Sequence, residues 1–209
     1  RGLRLRVASE LLPDVGAACG APVDPPTCDG TAESVLVGHG DTRVLAPGSY
    51  KTVQVRGGGA GEGTLILTGG NYTFCDLRVG RNAHLLARTA ANVYVIGPMA
   101  LAHAADARPE NAADSPCNLR LTTNALRVRV GRQATLRGVL CAPRAAARLS
   151  PGVKLTGAAF AATLRADRVR AEFVECLTTS TTTTATTTTN SSTTTVTTTT
   201  VTTTTLACA

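Results

Sequence analysis

Tryptophan is absent from this chain, methionine occurs once, and aromatic side chains make up only 3% of its 209 residues. A large globular core draws heavily on aromatic volume. Its scarcity points instead to small repeated units filled with Val, Leu, Ile and Ala. No two cysteines stand at C-x-x-C spacing, which removes the usual zinc and thioredoxin-like signatures. No apolar run reaches the roughly 20 residues that a helix needs to cross a bilayer. The most apolar window, 91–105, is broken by Gly97-Pro98. Initiator Met and signal peptide are both missing, which predicts a chain that begins after processing. Lysine is scarce too: all but two of the 21 basic residues are Arg, set against 14 acidic ones for a net charge of +7. Arginines of this kind read as solvated groups on the outward face of strands. The functional reading is a basic surface for an acidic polymer, a polyanionic glycan or DNA. The interleaved aromatics of a single-strand binder are lacking.

What is present is a stretch written twice. Leu77-Arg78-Val79-Gly80-Arg81-Asn82-Ala83-His84-Leu85 returns as Val128-Arg129-Val130-Gly131-Arg132-Gln133-Ala134-Thr135-Leu136, and more weakly as residues 147–155. In each copy apolar and polar residues alternate, a small-residue bend intervenes, and alternation resumes. Period two marks strands with one buried face, and Gly at the bend suits a corner where a Cβ would be crowded. Such a unit cannot bury its apolar face alone, so it stacks on its copies. The second and third copies start 19 residues apart, about one coil; the first and second start 51 apart, which allows two coils and an insertion.

Short strand signals run from Val35 to Phe173, separated by Pro47-Gly48, Gly57-Gly58-Gly59 and Gly69-Gly70-Asn71, with no helical period between them. The pattern predicts an all-β fold, a single-stranded parallel β-helix (β-solenoid), over 35–176; the alternative is a β-sandwich. Residues 1–34 read as a capping strand and a loop closed by a local Cys19–Cys28 disulfide. Residues 103–116, with Asp106, Pro109, Glu110, Asp114 and Pro116, read as an insertion thrust out of one coil. Residues 177–209 are nearly all Thr and read as an extended tail of the kind that carries O-linked sugar. Val196, Val201 and Leu206 recur in it every five residues.

Seven cysteines, Cys19, Cys28, Cys75, Cys117, Cys141, Cys176 and Cys208, are disulfide candidates and suit an oxidising, extracellular compartment. Their odd number leaves one for another chain. Asn71 and Asn190 begin N-glycosylation patterns, and Thr197 and Thr202 are candidate O-glycosylation positions. Gly57 to Gly63 lacks the Gly-Lys-Ser/Thr ending of a phosphate loop and reads as a flexible turn. Polysaccharide lyases and hydrolases need paired carboxylates, or a metal and a base, in one groove. Asp41, Asp76 and Asp167 are scattered, and His39-Gly40-Asp41, His84 and His103 read as solvated. No catalytic, cofactor or metal site is expected.

The repeat at Leu77–Leu85 and Val128–Leu136 resembles the β-helix domains of bacterial surface and pilus-associated proteins, whose coils read roughly apolar-x-apolar-Gly-x-x-Ala-x-Leu. It is similar, more distantly, to bactofilins, from which the cysteines and the Thr tail depart. The resemblance implies the β-helix fold and brings no catalytic residues to carry over. The expectation is an extracellular structural protein that polymerises head to tail with itself through the solenoid ends and the tail, with Cys208 placed to lock the contact. The alternative is an adhesin or carbohydrate-binding module on a glycosylated stalk; no specific nucleic acid and no membrane span are expected.

Overall fold

The computed structural model describes residues 27–28, 31–59, 61–174, 176, 178–180 and 202–204. It falls into two units, 1–174 and 175–209. Over residues 35–173 the first is a β-solenoid, whose coils lay down strands at three positions, except the last described coil, which has two; each strand pairs in parallel with its counterparts in the neighbouring coils.

On the first face the pairing runs Val35, Val53, Leu77, Met99, Val128, Ala147, Leu164, giving coils of 17 to 29 residues. The second face begins with Thr42–Leu45, Thr64–Leu67 and His84–Ala87. It continues through Asp106–Pro109, residues 135–137, residues 154–157 and Arg170–Phe173. The third face carries residues 48–50 and 70–74, Ala91–Val95, Leu119–Thr123, and residues 138–142 and 157–161. Parallel register stacks like on like. The inward column Tyr72, Val93, Leu121, Leu140 is buried throughout. Its neighbour shrinks from Phe74 through Val95 and Thr123 to Ala142.

Three of the six aromatics cluster near the amino-terminal end, where Tyr50 and Tyr72 each pack on Phe74 with ring centres 6.0 and 5.9 Å apart. Burial of the Tyr72 hydroxyl is offset because it donates to the Leu45 carbonyl at 3.0 Å. At the first coil, Arg43 takes the inward register position that Leu65 and Leu85 occupy in the next two. It is neutralised there by Glu33 at 2.7 Å.

The repeated glycine serves space rather than backbone angle. A Cβ on Gly80 would stand 2.7 Å from the Val55 carbonyl oxygen, and one on Gly131 2.4 Å from the Ala102 carbonyl carbon. The left-handed residue comes two positions later: Asn82, Ala104, Gln133, Gly152 and Arg168 all have φ between 49° and 78°. Each of the first four sends its N–H to a carbonyl of the following coil, those of His103, Arg132, Pro151 and Arg168. The left-handed turn thus aims one backbone donor along the stack at this corner in four successive coils.

The hidden copy lies at residues 99–107. Met99 pairs with both Leu77 and Val128, and Asp106–Pro109 pairs with both neighbouring coils. The expected insertion over 103–116 is therefore corrected: half of it is regular coil, and only about residues 110–118 leave the stack. The glycine run is a tight hairpin, Gly57–Gly58 against Gly61–Glu62. It is not a loose turn, for a Cβ on Gly57 or Gly63 would strike the backbone of Arg81 or Arg56. In the second unit Thr178–Ser180 pairs antiparallel with Thr202–Thr204, so these two pieces of the tail fold against each other. The proposed cap over residues 1–12, Val196, Val201 and Leu206 lie outside the described residues.

Gly131→Ala is expected to force the corner apart and cost about 1–3 kcal/mol, lowering Tm by several degrees for a domain of this size. Gly59→Ala, at a position with nothing within 4 Å of the added Cβ, is expected to leave Tm nearly unchanged. Equal effects on thermal melts would refute the crowding argument.

Candidate functional surfaces

Stacking brings together side chains that lie far apart in sequence. On the second face His84 and Asp106, 22 residues apart, are register partners. His84 Nδ1 lies 3.4 Å from Asp106 Oδ2, and its Nε2 lies 2.8 Å from Glu62 Oε2, delivered by the glycine hairpin. Arg108 Nε donates to Asp106 Oδ2 at 2.8 Å. One coil position further along, Arg88 Nε donates to Glu110 Oε2 at 2.9 Å. That bond holds the Glu110 carboxyl below its usual range and raises the Arg88 guanidinium. The Glu62–His84–Asp106–Arg108 chain is a constellation that sequence spacing alone did not reveal. Both nitrogens of His84 are engaged within it, so neither faces an incoming substrate. It ties three successive coils together across an outward face.

The remaining acidic candidates stay apart. Asp76 pairs with Arg78 at 3.0 Å and Asp167 with Arg168 at 3.7 Å. His39 and Asp41 are exposed. Among the described residues no three His, Cys, Asp or Glu side chains gather in the manner of a metal site. No helix there is long and apolar enough to cross a membrane.

Cys28 is joined to Cys75. The local Cys19–Cys28 bridge is thus corrected: the bond spans 47 residues and on the chain-entropy account is worth about 4 kcal/mol. Cys117, Cys141 and Cys176 are also disulfide-bonded. Cys19 and Cys208 lie outside the described residues. Such bonding fits an oxidising compartment. Of the glycosylation candidates, Asn71 is exposed and its Oδ1 accepts from Asn92 one coil on, at 3.1 Å. Asn190 and Thr197 lie outside the described residues, and Thr202 opens the short strand of the second unit.

The excursion at 110–118 is pinned down rather than free. Arg137 of the next coil donates to the carbonyls of Ala112 and Asp114, the latter at 2.6 Å. Ser115 Oγ accepts from the Cys117 N–H at the start of the Pro116–Asn118 turn.

The largest electrostatic feature is an axial imbalance. Residues 31–110 hold seven basic and six acidic side chains, whereas residues 111–174 hold eleven and three. On the first face Arg129, Arg148 and Arg165 are consecutive register partners, all exposed, with Arg127 beside them. Around the adjoining corner, Arg132 and Arg168 line a shallow groove of about 520 Å³ with His103, Gln133, Pro151 and Gly152. His103 Nδ1 is buried there with no hydrogen-bond partner.

Arg137→Ala is expected to free the excursion at a cost of about 1–2 kcal/mol. A Glu-specific protease should then cut after Glu110 several times faster, with the far-ultraviolet circular dichroism unchanged. Unaltered cleavage would show that Arg137 does not hold the loop. Peptide mapping without reduction is expected to recover Cys28 linked to Cys75; a Cys19–Cys28 peptide would contradict this pairing. No protein-family model, curated protein or solved structure matches the chain.

Proposed function

We propose that this chain is an extracellular structural protein that polymerises head to tail through the ends of its solenoid. The observation that carries this reading is the outer edge of the final coil. Residues 163–166 and Arg170–Phe173 pair only with the coil before them, among the described residues. Among the described residues nothing pairs with the outer side of these strands, and Phe173 there is 65% exposed, with Leu164 and Val169 only partly covered. An open parallel edge is a template for another strand. The first coil, Val35–Val37 and Thr42–Leu45, likewise pairs on one side only among the described residues. In the proposed assembly a second copy's first coil would continue the rungs in the same direction. Contact between unlike ends does not close on itself, so it yields a fibre. The Arg43–Glu33 pair would enter such an interface already neutralised, which spares it the penalty of a lone buried charge. Seven cysteines cannot all pair within one chain, which supports a covalent link between copies.

Electron microscopy of the purified chain is expected to show unbranched filaments. Non-reducing electrophoresis is expected to show a ladder that collapses on reduction. Phe173→Glu should raise the concentration needed for assembly about tenfold, about 1.4 kcal/mol per contact, while leaving the strand content intact. Particles that stop at two copies, or a chain that stays monomeric at high concentration, would overturn the head-to-tail reading.

A further inference from the structure

The arginine column on the first face has no acidic counterpart. Asp76 neutralises Arg78 lower in the same face, and Asp167 lies 3.7 Å from Arg168 at the corner. Arg127, Arg129, Arg148 and Arg165 take part in no ion pair among the described residues. Register fixes what they do instead. Successive strands lie about 4.8 Å apart, so Arg129, Arg148 and Arg165 rise as three evenly spaced cations along the solenoid axis. Like charges directly opposite on neighbouring strands repel, and nothing within the solenoid repays that cost. The planar guanidinium fork matches carboxylate and sulfate oxygens two at a time. Beside the column, the corner groove adds Arg132, Arg168 and the unpartnered, buried Nδ1 of His103.

We propose that this column and its corner groove form a binding site for a linear acidic polysaccharide, lying along the solenoid axis with one anionic sugar unit to each coil. The pyranose repeat of such a polymer is comparable to the rise of a coil, so charge meets charge without distortion of either chain. A nucleic acid fits less well. No Phe, Tyr or Trp stands in the column or lines the groove among the described residues, and stacking platforms are what hold unpaired bases. Among the described residues of the solenoid, the longest helix is the three-residue turn Pro116–Asn118 and the one hairpin, Gly57–Gly58 against Gly61–Glu62, is two residues a side, too short to read a duplex groove. Disulfide bonding fits a secreted chain, and a secreted chain would meet carboxylated and sulfated glycans. The column runs up to the edge through which the chain is proposed to polymerise, for Arg165 lies in that edge strand, but its exposed side chains alternate with the inward ones and face away from the core.

The test uses the full chain and immobilised polygalacturonate, with neutral dextran and single- and double-stranded DNA of similar length at the same salt. Binding to polygalacturonate that weakens steeply with salt, and none to dextran, is expected. Arg129→Gln, Arg148→Gln and Arg165→Gln together should weaken it about tenfold, the sum expected of three exposed ion pairs. A second triple variant, Arg144→Gln, Lys154→Gln and Arg170→Gln, removes the same charge elsewhere and is expected to bind within about twofold of the parent. Equal losses in the two variants would mean net charge alone and overturn the site. Tighter binding to either DNA would assign the face to nucleic acid instead, and no binding to any of the polymers would refute the proposal. Circular dichroism of both variants separates loss of the site from loss of the fold.

Discussion

Everything in this solenoid follows from parallel backbone pairing between consecutive coils. Once one strand sits in register on the last, every side chain sits above its counterpart, one strand spacing away. The interior then divides into columns, and each column must fill its own width. The column from Phe74 to Ala142 narrows along the chain, and no bulky side chain is needed to close it. This is why a chain with so few aromatics can bury a continuous core. The same constraint crowds the corners until Gly80 and Gly131 have no room for a Cβ. It also imposes a left-handed residue two positions later, whose N–H reaches the next coil.

The fold was legible where the repeat kept its full form. Leu77 to Leu85 and Val128 to Leu136 carry alternation, the small corner residue and the apolar landing site, and together they predict stacked coils. The copy between them is masked in the sequence because its markers are eroded. Ala102 stands where glycine is expected, Ala107 where leucine is expected, and Asp106 and Pro109 read as loop residues. In the stack Ala107 is fully buried, and Asp106 turns to His84 and Arg108. The outward chemistry was illegible for a different reason. Glu62, His84 and Asp106 meet only once coil lengths are known, and coils here vary from 17 to 29 residues. The pairing of Cys28 with Cys75 obeys the same limit, since nothing in linear spacing favours a partner 47 residues away.

Stacking acts on charge as it acts on volume. Alternating an acid with a base from coil to coil costs nothing, and the amino-terminal coils do so: Glu62 lies against His84, and Arg88 against Glu110. The later coils repeat one sign instead. A column of arginines gives up the cross-strand attraction that opposite charges would contribute, yet exposed guanidinium groups are well solvated and the penalty is small. Hydration explains how the column is tolerated. It does not explain why the pairing strategy used earlier in the same chain is abandoned there.

The two surfaces become connected if copies do meet end to end. The outward column that ends in Arg148 and Arg165 begins with Leu36, Gln54 and Arg78. A following copy would place its Leu36 one strand spacing beyond Arg165, then Gln54, before basic residues return. Arginine density along a filament would therefore come in blocks separated by nearly neutral stretches. Linked binding sites raise avidity only when a ligand can span the gap between them. A stiff, long polyanion could bridge successive blocks, whereas a short oligomer could occupy one block alone. Polymer length would then govern retention far more strongly in the assembled state than in the single chain. The geometry that produces the ladder would in that way also decide which acidic polymers the assembly holds.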